Sequence, residues 1–381
     1  MKLIIAGGGT GGHLFPGIAV AEEFLARDPA NKVLFVGTER GIESRAVPAA
    51  GYPLELITAA GIRGKGGLSQ LRGAAMMLHG YAQSRMILKR FRPDAVLGVG
   101  GYASLPMLLA ARGMRIPCSI HEQNAIPGMT NKLLARFVGQ VFITLEESAR
   151  FFPKEKSLLT GNPLRRQILE VVLKARPADA GGTDTVFHLF VFGGSQGAHA
   201  INRALMDAAP LLADRGDRLT ITHQTGKQDF DEVVAAYRSH GIQADVQRFI
   251  GDMASEYRRA DLVVCRAGAT TIAEVTACGK AALFIPFPHA VDDHQRRNAE
   301  ALLKKDACFM LLERELVGGR LAGMIRELSD DPETVRRTGE LAAGLARLDA
   351  AKIIVDLIMK PASAPVIIDT AIQGRGETTD A

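Results

Sequence analysis

Three stretches of this 381-residue chain set glycine beside hydroxyl, amide or imidazole groups directly after a short apolar run. The first is Gly7-Gly8-Gly9-Thr10-Gly11-Gly12-His13, and the second is Gly193-Gly194-Ser195-Gln196-Gly197. The third runs Cys265-Arg266-Ala267-Gly268-Ala269-Thr270-Thr271-Ile272-Ala273-Glu274. Glycine lets a ligand come close to the backbone, and the free N–H groups opening a following helix attract an anion. Gly7, Gly9 and Gly12 also spell GxGxxG, with Glu39 just past the second strand, where a dinucleotide ribose would want an acid. A dinucleotide loop and an anion- or sugar-binding loop are therefore both open. Pro16 suits a first helical turn, which would start the helix four residues after the glycines and argues against the dinucleotide. In the third stretch the amides of residues 269–272 would meet phosphate. Glu274, one turn in, would accept both hydrogen bonds of a ribose diol, or serve only as a dipole-favouring acid.

Other polar groups gather at predicted strand ends. His121-Glu122-Gln123-Asn124 has no packing purpose as a sequence and reads as ligand-facing. Arg165, in Gly161-Asn162-Pro163-Leu164-Arg165, is a permanent cation for phosphate or half of an interdomain salt bridge. Gln295 closes the loop Pro286-Phe287-Pro288-His289-Ala290-Val291-Asp292-Asp293-His294 and can both donate to and accept from sugar hydroxyls, while Asp292 or Asp293 caps the next helix. Asp229-Phe230-Asp231 reads as solvated helix-start acids. No metal-ligand motif occurs, so neither a metal nor a cofactor is expected.

The elements that must carry these groups alternate. Short apolar runs are read as strands over 3–6, 33–36, 54–57, 95–99, 118–121, 141–143 and 157–160, with helical patterns between. A Pro- and Gly-rich polar linker follows at 174–184. The pattern then restarts with strands over 186–192, 219–223, 245–249, 262–265 and 281–286. Two doubly wound α/β domains with parallel sheets follow from this, as the length also suggests. The expected division is 1–163, 164–349, a last helix at 350–360 packing back on the first domain, and a tail at 361–381.

Composition narrows the partners. A net charge of +5 fits anionic ligands or an anionic membrane surface and is too weak to argue for nucleic acid. The four cysteines, Cys118, Cys265, Cys278 and Cys308, form no CxxC pair, so reduced thiols in a cytosolic protein are expected. No apolar run reaches a membrane span, and residues 1–6 are too short for a signal-peptide core. Any membrane contact is expected to be peripheral. A candidate is the stretch 71–91, apolar nearly all round through Leu71, Ala74, Met77, Leu78, Tyr81, Met86 and Leu88, with Arg72, Arg85, Lys89, Arg90 and Arg92 near its ends. It is a buried core helix or an interfacial one.

Seven runs, GGGTGGHLFPG, GGYASLP, HEQN, GNPLR, FGGSQGA, CRAGATTIAE and PFPHAVDDHQ, stand in the order and spacing of the MurG family, which this chain resembles from residue 1 to about 358. That family comprises the N-acetylglucosaminyltransferases completing the lipid-linked disaccharide precursor of peptidoglycan. The resemblance implies a GT-B architecture and inverting transfer of GlcNAc from UDP-GlcNAc to the C4 hydroxyl of undecaprenyl-diphospho-MurNAc-pentapeptide (lipid I), giving β-1,4-linked lipid II. It implies that Ile250, Ala269, Thr270, Thr271, Ile272 and Ala273 surround uracil and phosphates, and that Glu274 takes the ribose. Ser195 and Arg165 would contact the diphosphate, Gln295 and Asn124 the GlcNAc hydroxyls, and Thr10, Gly11 and Gly12 the sugar and acceptor side. His13 is the candidate general base. A place on the cytoplasmic face of the inner membrane, with the helix at 71–91 dipping among anionic lipids, follows from the same resemblance. Arg296 and Arg297 stand where some relatives carry aromatics. Rival readings are a UDP-GlcNAc 2-epimerase, a diacylglycerol glycosyltransferase and an NAD(P)-binding oxidoreductase or module.

Overall fold

The computed structural model describes residues 1–59, 67–174, 186–194 and 196–360. Ser195, the loop 60–66, nearly all of the predicted linker and the tail 361–381 lie outside the described residues, as do the side chains of Leu71, Arg72 and Ala74.

Runs such as Leu3, Ile4, Ile5 and Ala6 have no polar alternation, so a strand made from them must be covered on both faces. All four are fully buried. Strands β1 (Lys2–Gly7), β2 (Lys32–Gly37), β3 (Leu54–Leu56), β4 (Ala95–Gly100), β5 (Cys118–Glu122), β6 (Gln140–Ile143) and β7 (Ser157–Leu159) form a parallel sheet ordered β3-β2-β1-β4-β5-β6-β7. A second parallel sheet runs β10-β9-β8-β11-β12-β13. Its members are β8 (Phe187–Phe192), β9 (Leu219–Gln224), β10 (Gln243–Gln247), β11 (Leu262–Cys265), β12 (Ala281–Phe284) and β13 (Phe309–Met310). Two-residue β13 carries no periodicity and was not expected from sequence, and β10 begins two residues before its expected start.

Alternate residues of β1 enter opposite layers. Ile4 and Ala6 pack with Leu34, Val36 and Val96, whereas Leu3 and Ile5 pack with Phe24, Phe35 and Leu97. The last helix, Ala350–Met359, adds Ile354 and Val355 to that second layer. Its Asp356 pairs with Arg27 at 2.9 Å. Each fully buried aliphatic side chain contributes about 1.5–3 kcal/mol, against about 0–1 for a half-exposed ion pair, so apolar burial holds this returning helix.

One local expectation fails. The first helix is Gly11–Arg27 and starts inside the glycine run; Pro16 lies within it rather than in its first turn. The position of Pro16 therefore does not separate this loop from a dinucleotide loop. What proline does here is remove the N–H that would have bonded the carbonyl of Gly12.

Two histidines at strand ends are sealed in. Burial pushes the His121 imidazole down from the ordinary 6.5 to about 4 and that of His223 to about 3. Between pH 6.5 and those values the unfolded chain binds protons that the folded one refuses, so stability falls as pH falls. Each histidine contributes a slope that grows from about 0.7 kcal/mol per pH unit at pH 6.5 towards about 1.4 below it. Urea midpoints should thus drop steadily from pH 6.5 to 5, before most carboxylates titrate. A flat response over that window would contradict the neutral burial of both rings.

Candidate functional site

In a doubly wound sheet the crevice lies beyond the carboxyl ends of the strands where connections diverge. Here those are β1 and β4 in one sheet and β8 and β11 in the other. The loops after β1 and β4 touch backbone to backbone. Gly7 has φ +141°, and a Cβ there would lie 2.2 Å from the carbonyl oxygen of Gly100. The glycine loop is tied from below by Glu43, 1% exposed, whose carboxylate accepts from Gly9 N (2.7 Å), Thr38 N (2.9 Å) and Thr38 Oγ1 (3.0 Å). Three donors offset the cost of burying that charge. They also take one loop amide out of use for an anion. Nothing in the local sequence of Glu43 signals this role, because the glycine loop it ties down lies 34 residues earlier in the chain.

His13 stands in the first turn of helix Gly11–Arg27, half-buried, with Nδ1 2.8 Å from Gln123 Oε1. Its ring lies against Gly100, where φ is +98° and an added Cβ would come 2.9 Å from His13 Nδ1. Gly100→Ala should therefore push the imidazole off its position and strain the backbone as well, lowering turnover by about tenfold or more. Steady-state kinetics alongside a thermal melt check this; unchanged turnover would show that the ring position is not exacting.

The His121-Glu122-Gln123-Asn124 run corrects an expectation. His121, Glu122 and Gln123 are each 1% exposed and do have a packing purpose. Glu122 accepts from Asn124 N, Asn124 Nδ2, Gly128 N and Asn131 Nδ2. Only Asn124 is half-buried, and its Oδ1 accepts from Asn298 Nδ2 at 3.1 Å. Asn298, fully buried on helix His294–Leu303, also accepts from Ala125 N at 2.9 Å and so clasps the two sheets' loops together.

On the facing side, Gly268 opens helix Ala269–Ala277, and Ile272 N already bonds Gly268 O. Three amides, of Ala269, Thr270 and Thr271, are thus left for an anion, one fewer than expected. Thr270 Oγ1 lies 3.4 Å from Gly12 O, the carbonyl that Pro16 leaves without a helical partner. Ala273 lies in the next turn of the same helix.

Glu274, 3% exposed, is no solvated dipole acid. Arg165 donates to it through Nε (2.7 Å) and Nη2 (2.9 Å), and Tyr257 donates at 3.3 Å. Two residues expected at the ligand are therefore paired with each other.

Ile250 is buried, and its N–H donates to Gln224 Oε1 at 2.7 Å while Gln224 Nε2 donates to Gly194 O at 2.8 Å. Gln224 thereby joins the second glycine loop to the Ile250 loop, a role with no local signal in the sequence. Gln295 Oε1 accepts from Phe287 N at 3.0 Å, which leaves chiefly its amide N–H groups for a ligand.

Two smaller expectations also change. Asp292 and Asp293 sit in left-handed backbone and Asp293 makes no side-chain cap. Asp229 is buried, bonded to His199 and Asn202, and not solvated. Arg296 and Arg297 both pair with Glu300. Among the described residues no cluster of His, Cys, Asp and Glu is arranged to hold a metal.

On helix Gly67–Phe91, Ile87 and Leu88 are buried, but Leu78 and Met86 are 71% and 64% exposed. The helix therefore packs one face inward and presents apolar side chains on another. Among the described residues no helix is long and apolar enough to cross a membrane.

The glycosyltransferase family 28 N-terminal domain model matches residues 3–143, and the C-terminal domain model matches residues 188–354. A Pelobacter propionicus protein named UDP-N-acetylglucosamine--N-acetylmuramyl-(pentapeptide) pyrophosphoryl-undecaprenol N-acetylglucosamine transferase is 70% identical, covering 95% of this chain and 100% of its own length. A Geobacter sulfurreducens protein of the same name is 65% identical over 93% of this chain and 97% of its own. Among solved structures, Acinetobacter baumannii MurG superposes with a TM-score of 0.77 at 32% identity, covering 94% of this chain and 98% of that one. A Neisseria meningitidis UDP-GlcNAc 2-epimerase bound to UDP-GlcNAc gives a TM-score of 0.64 at 13% identity, over 95% and 100%, a likeness of fold alone.

Proposed function

The chain belongs to the family of UDP-N-acetylglucosamine–N-acetylmuramyl-(pentapeptide) pyrophosphoryl-undecaprenol N-acetylglucosamine transferases, and from that premise we propose that it transfers GlcNAc from UDP-GlcNAc to lipid I, giving lipid II. Its fold is GT-B. The observation that carries the reading is the approach of the two loops: Thr270 Oγ1 reaches Gly12 O at 3.4 Å, one residue from His13. A helix N-terminus suited to a diphosphate thus faces a half-buried imidazole across the crevice.

In this mechanism the amides of Ala269, Thr270 and Thr271, with Ser195 and Arg165, hold the diphosphate, and Ile250 borders the uracil. Glu274 takes the ribose hydroxyls, for which Arg165 must first leave it; the released guanidinium then has the diphosphate as its partner. Asn124 and Gln295 orient the GlcNAc, and Thr10, Gly11 and Gly12 line the acceptor side. The acceptor's C4 oxygen attacks the anomeric carbon as the bond to the diphosphate breaks, its proton passes to His13, and UDP departs towards the helix N-terminus. The configuration inverts in one displacement.

The exposed Leu78 and Met86, followed by Lys89 and Arg90 in the helix's last turn, form the surface that meets the membrane. The lipid-linked acceptor and these cations support a peripheral position on the anionic cytoplasmic leaflet of the inner membrane. The experiment is incubation of sugar-labelled UDP-GlcNAc with a polyprenyl-diphospho-MurNAc acceptor. Label should move into the lipid fraction, whereas epimerised sugar formed without acceptor would overturn the reading.

A further inference from the structure

Gln123 stands in a chain of hydrogen bonds whose two ends are backbone carbonyls, and a carbonyl can only accept. Val99 O is 3.0 Å from one amide atom of Gln123, so that atom is the nitrogen. The amide oxygen then faces His13 Nδ1 at 2.8 Å. An amide oxygen also only accepts, so Nδ1 carries the hydrogen. At the other end Gly161 O lies 3.1 Å from His121 Nε2, which must therefore be the protonated nitrogen of that ring. His121 Nδ1 is left as an acceptor for the second Gln123 N–H at 3.1 Å. Every hydrogen has one consistent place. The flipped amide would set its oxygen against Val99 O and would force His121 to turn a lone pair towards Gly161 O, two repulsive contacts at once.

We propose that Gln123 is a positioning residue that fixes His13 as the Nδ1–H tautomer and leaves the Nε2 lone pair for the acceptor hydroxyl. The proposal rests on His13 being the general base. Among the described residues Nε2 of His13 has no hydrogen-bonded protein partner, and Nδ1, Cγ and Cε1 form the edge that lies on Gly100. Gln123 and His121 are each 1% exposed, so water does not compete for the chain. Burial pushes His121 down to about 4, which keeps it the neutral acceptor the chain requires. When the acceptor's O–H gives its proton to Nε2, Nδ1–H goes on donating to Gln123 and no bond of the chain has to change. Free imidazole favours the other tautomer, with hydrogen on Nε2, which has no lone pair to offer there.

The test is nitrogen NMR of histidine-labelled protein, with His13 assigned by its disappearance in His13→Gln. In the neutral ring Nδ1 should resonate as the protonated nitrogen and Nε2 as the unprotonated one; the reverse pattern overturns the proposal without any variant of Gln123. Gln123→Met should move hydrogen to Nε2 and lower kcat about 10- to 100-fold with the donor KM within about twofold. Gln123→Glu, which still accepts from Nδ1, should recover part of kcat. If His13→Ala is inactive but Gln123→Met keeps kcat, the positioning role is wrong and the base stands. If His13→Ala keeps kcat, the base reading itself falls.

Discussion

His13→Ala should lower kcat about 10²- to 10⁴-fold while the affinity for UDP-GlcNAc stays within about twofold of the parent. The expectation follows from where the side chain sits. His13 belongs to the first turn of helix Gly11–Arg27, whereas Ile250, Ala269–Glu274 and Gln295, which in the proposed mechanism hold most of the donor, lie beyond strands of the facing sheet. Removing the imidazole deprives Gln123 Oε1 of its partner, a cost of about 1 kcal/mol to folding that a melt would register separately. Titration of donor binding by calorimetry, beside turnover, separates the cases. Should donor binding collapse together with turnover, His13 orders the loop rather than moving a proton.

Glu274→Ala carries the second large effect, on both binding and stability. The carboxylate is buried and accepts from Arg165 twice and from Tyr257 once. Its loss leaves the Tyr257 hydroxyl and the guanidinium unpaired. Breaking a buried pair costs about 3–5 kcal/mol, and Arg165, 30% exposed, regains some water, so the lower end applies. Donor affinity should fall about 10- to 100-fold, the worth of a charge-assisted hydrogen bond of about 1.5–3 kcal/mol. The decisive comparison is with the 2′-deoxyribose donor. The parent should prefer the ribose donor, and Glu274→Ala should lose that preference; a preference that survives would take Glu274 away from the ribose.

Apart from β13 and the start of β10, the strands, and with them both sheets and the three glycine-bearing loops, were legible because most are announced locally by a short apolar run, which in β1 and β8 passes straight into glycine. What the sequence hid acts across the fold. Glu43, Gln224 and Asn298 each join loops far apart in the chain, and none has a periodic or motif signal. The same blindness made His121, Glu122 and Gln123 look ligand-facing: their partners include Val99 O, Gly161 O and Asn131, which only the folded sheet brings within reach. Pro16 misled in a related way. Local preference placed it at a helix start, but the carbonyl it strands faces a hydroxyl from the other sheet, 258 residues away in sequence.

A single in-line displacement from UDP-GlcNAc to one hydroxyl leaves its record in the linkage of the product. Proton and carbon NMR of the disaccharide released from the lipid product should give a β-configured GlcNAc joined to C4 of the muramyl sugar. An α linkage, or attachment at another hydroxyl, would contradict it.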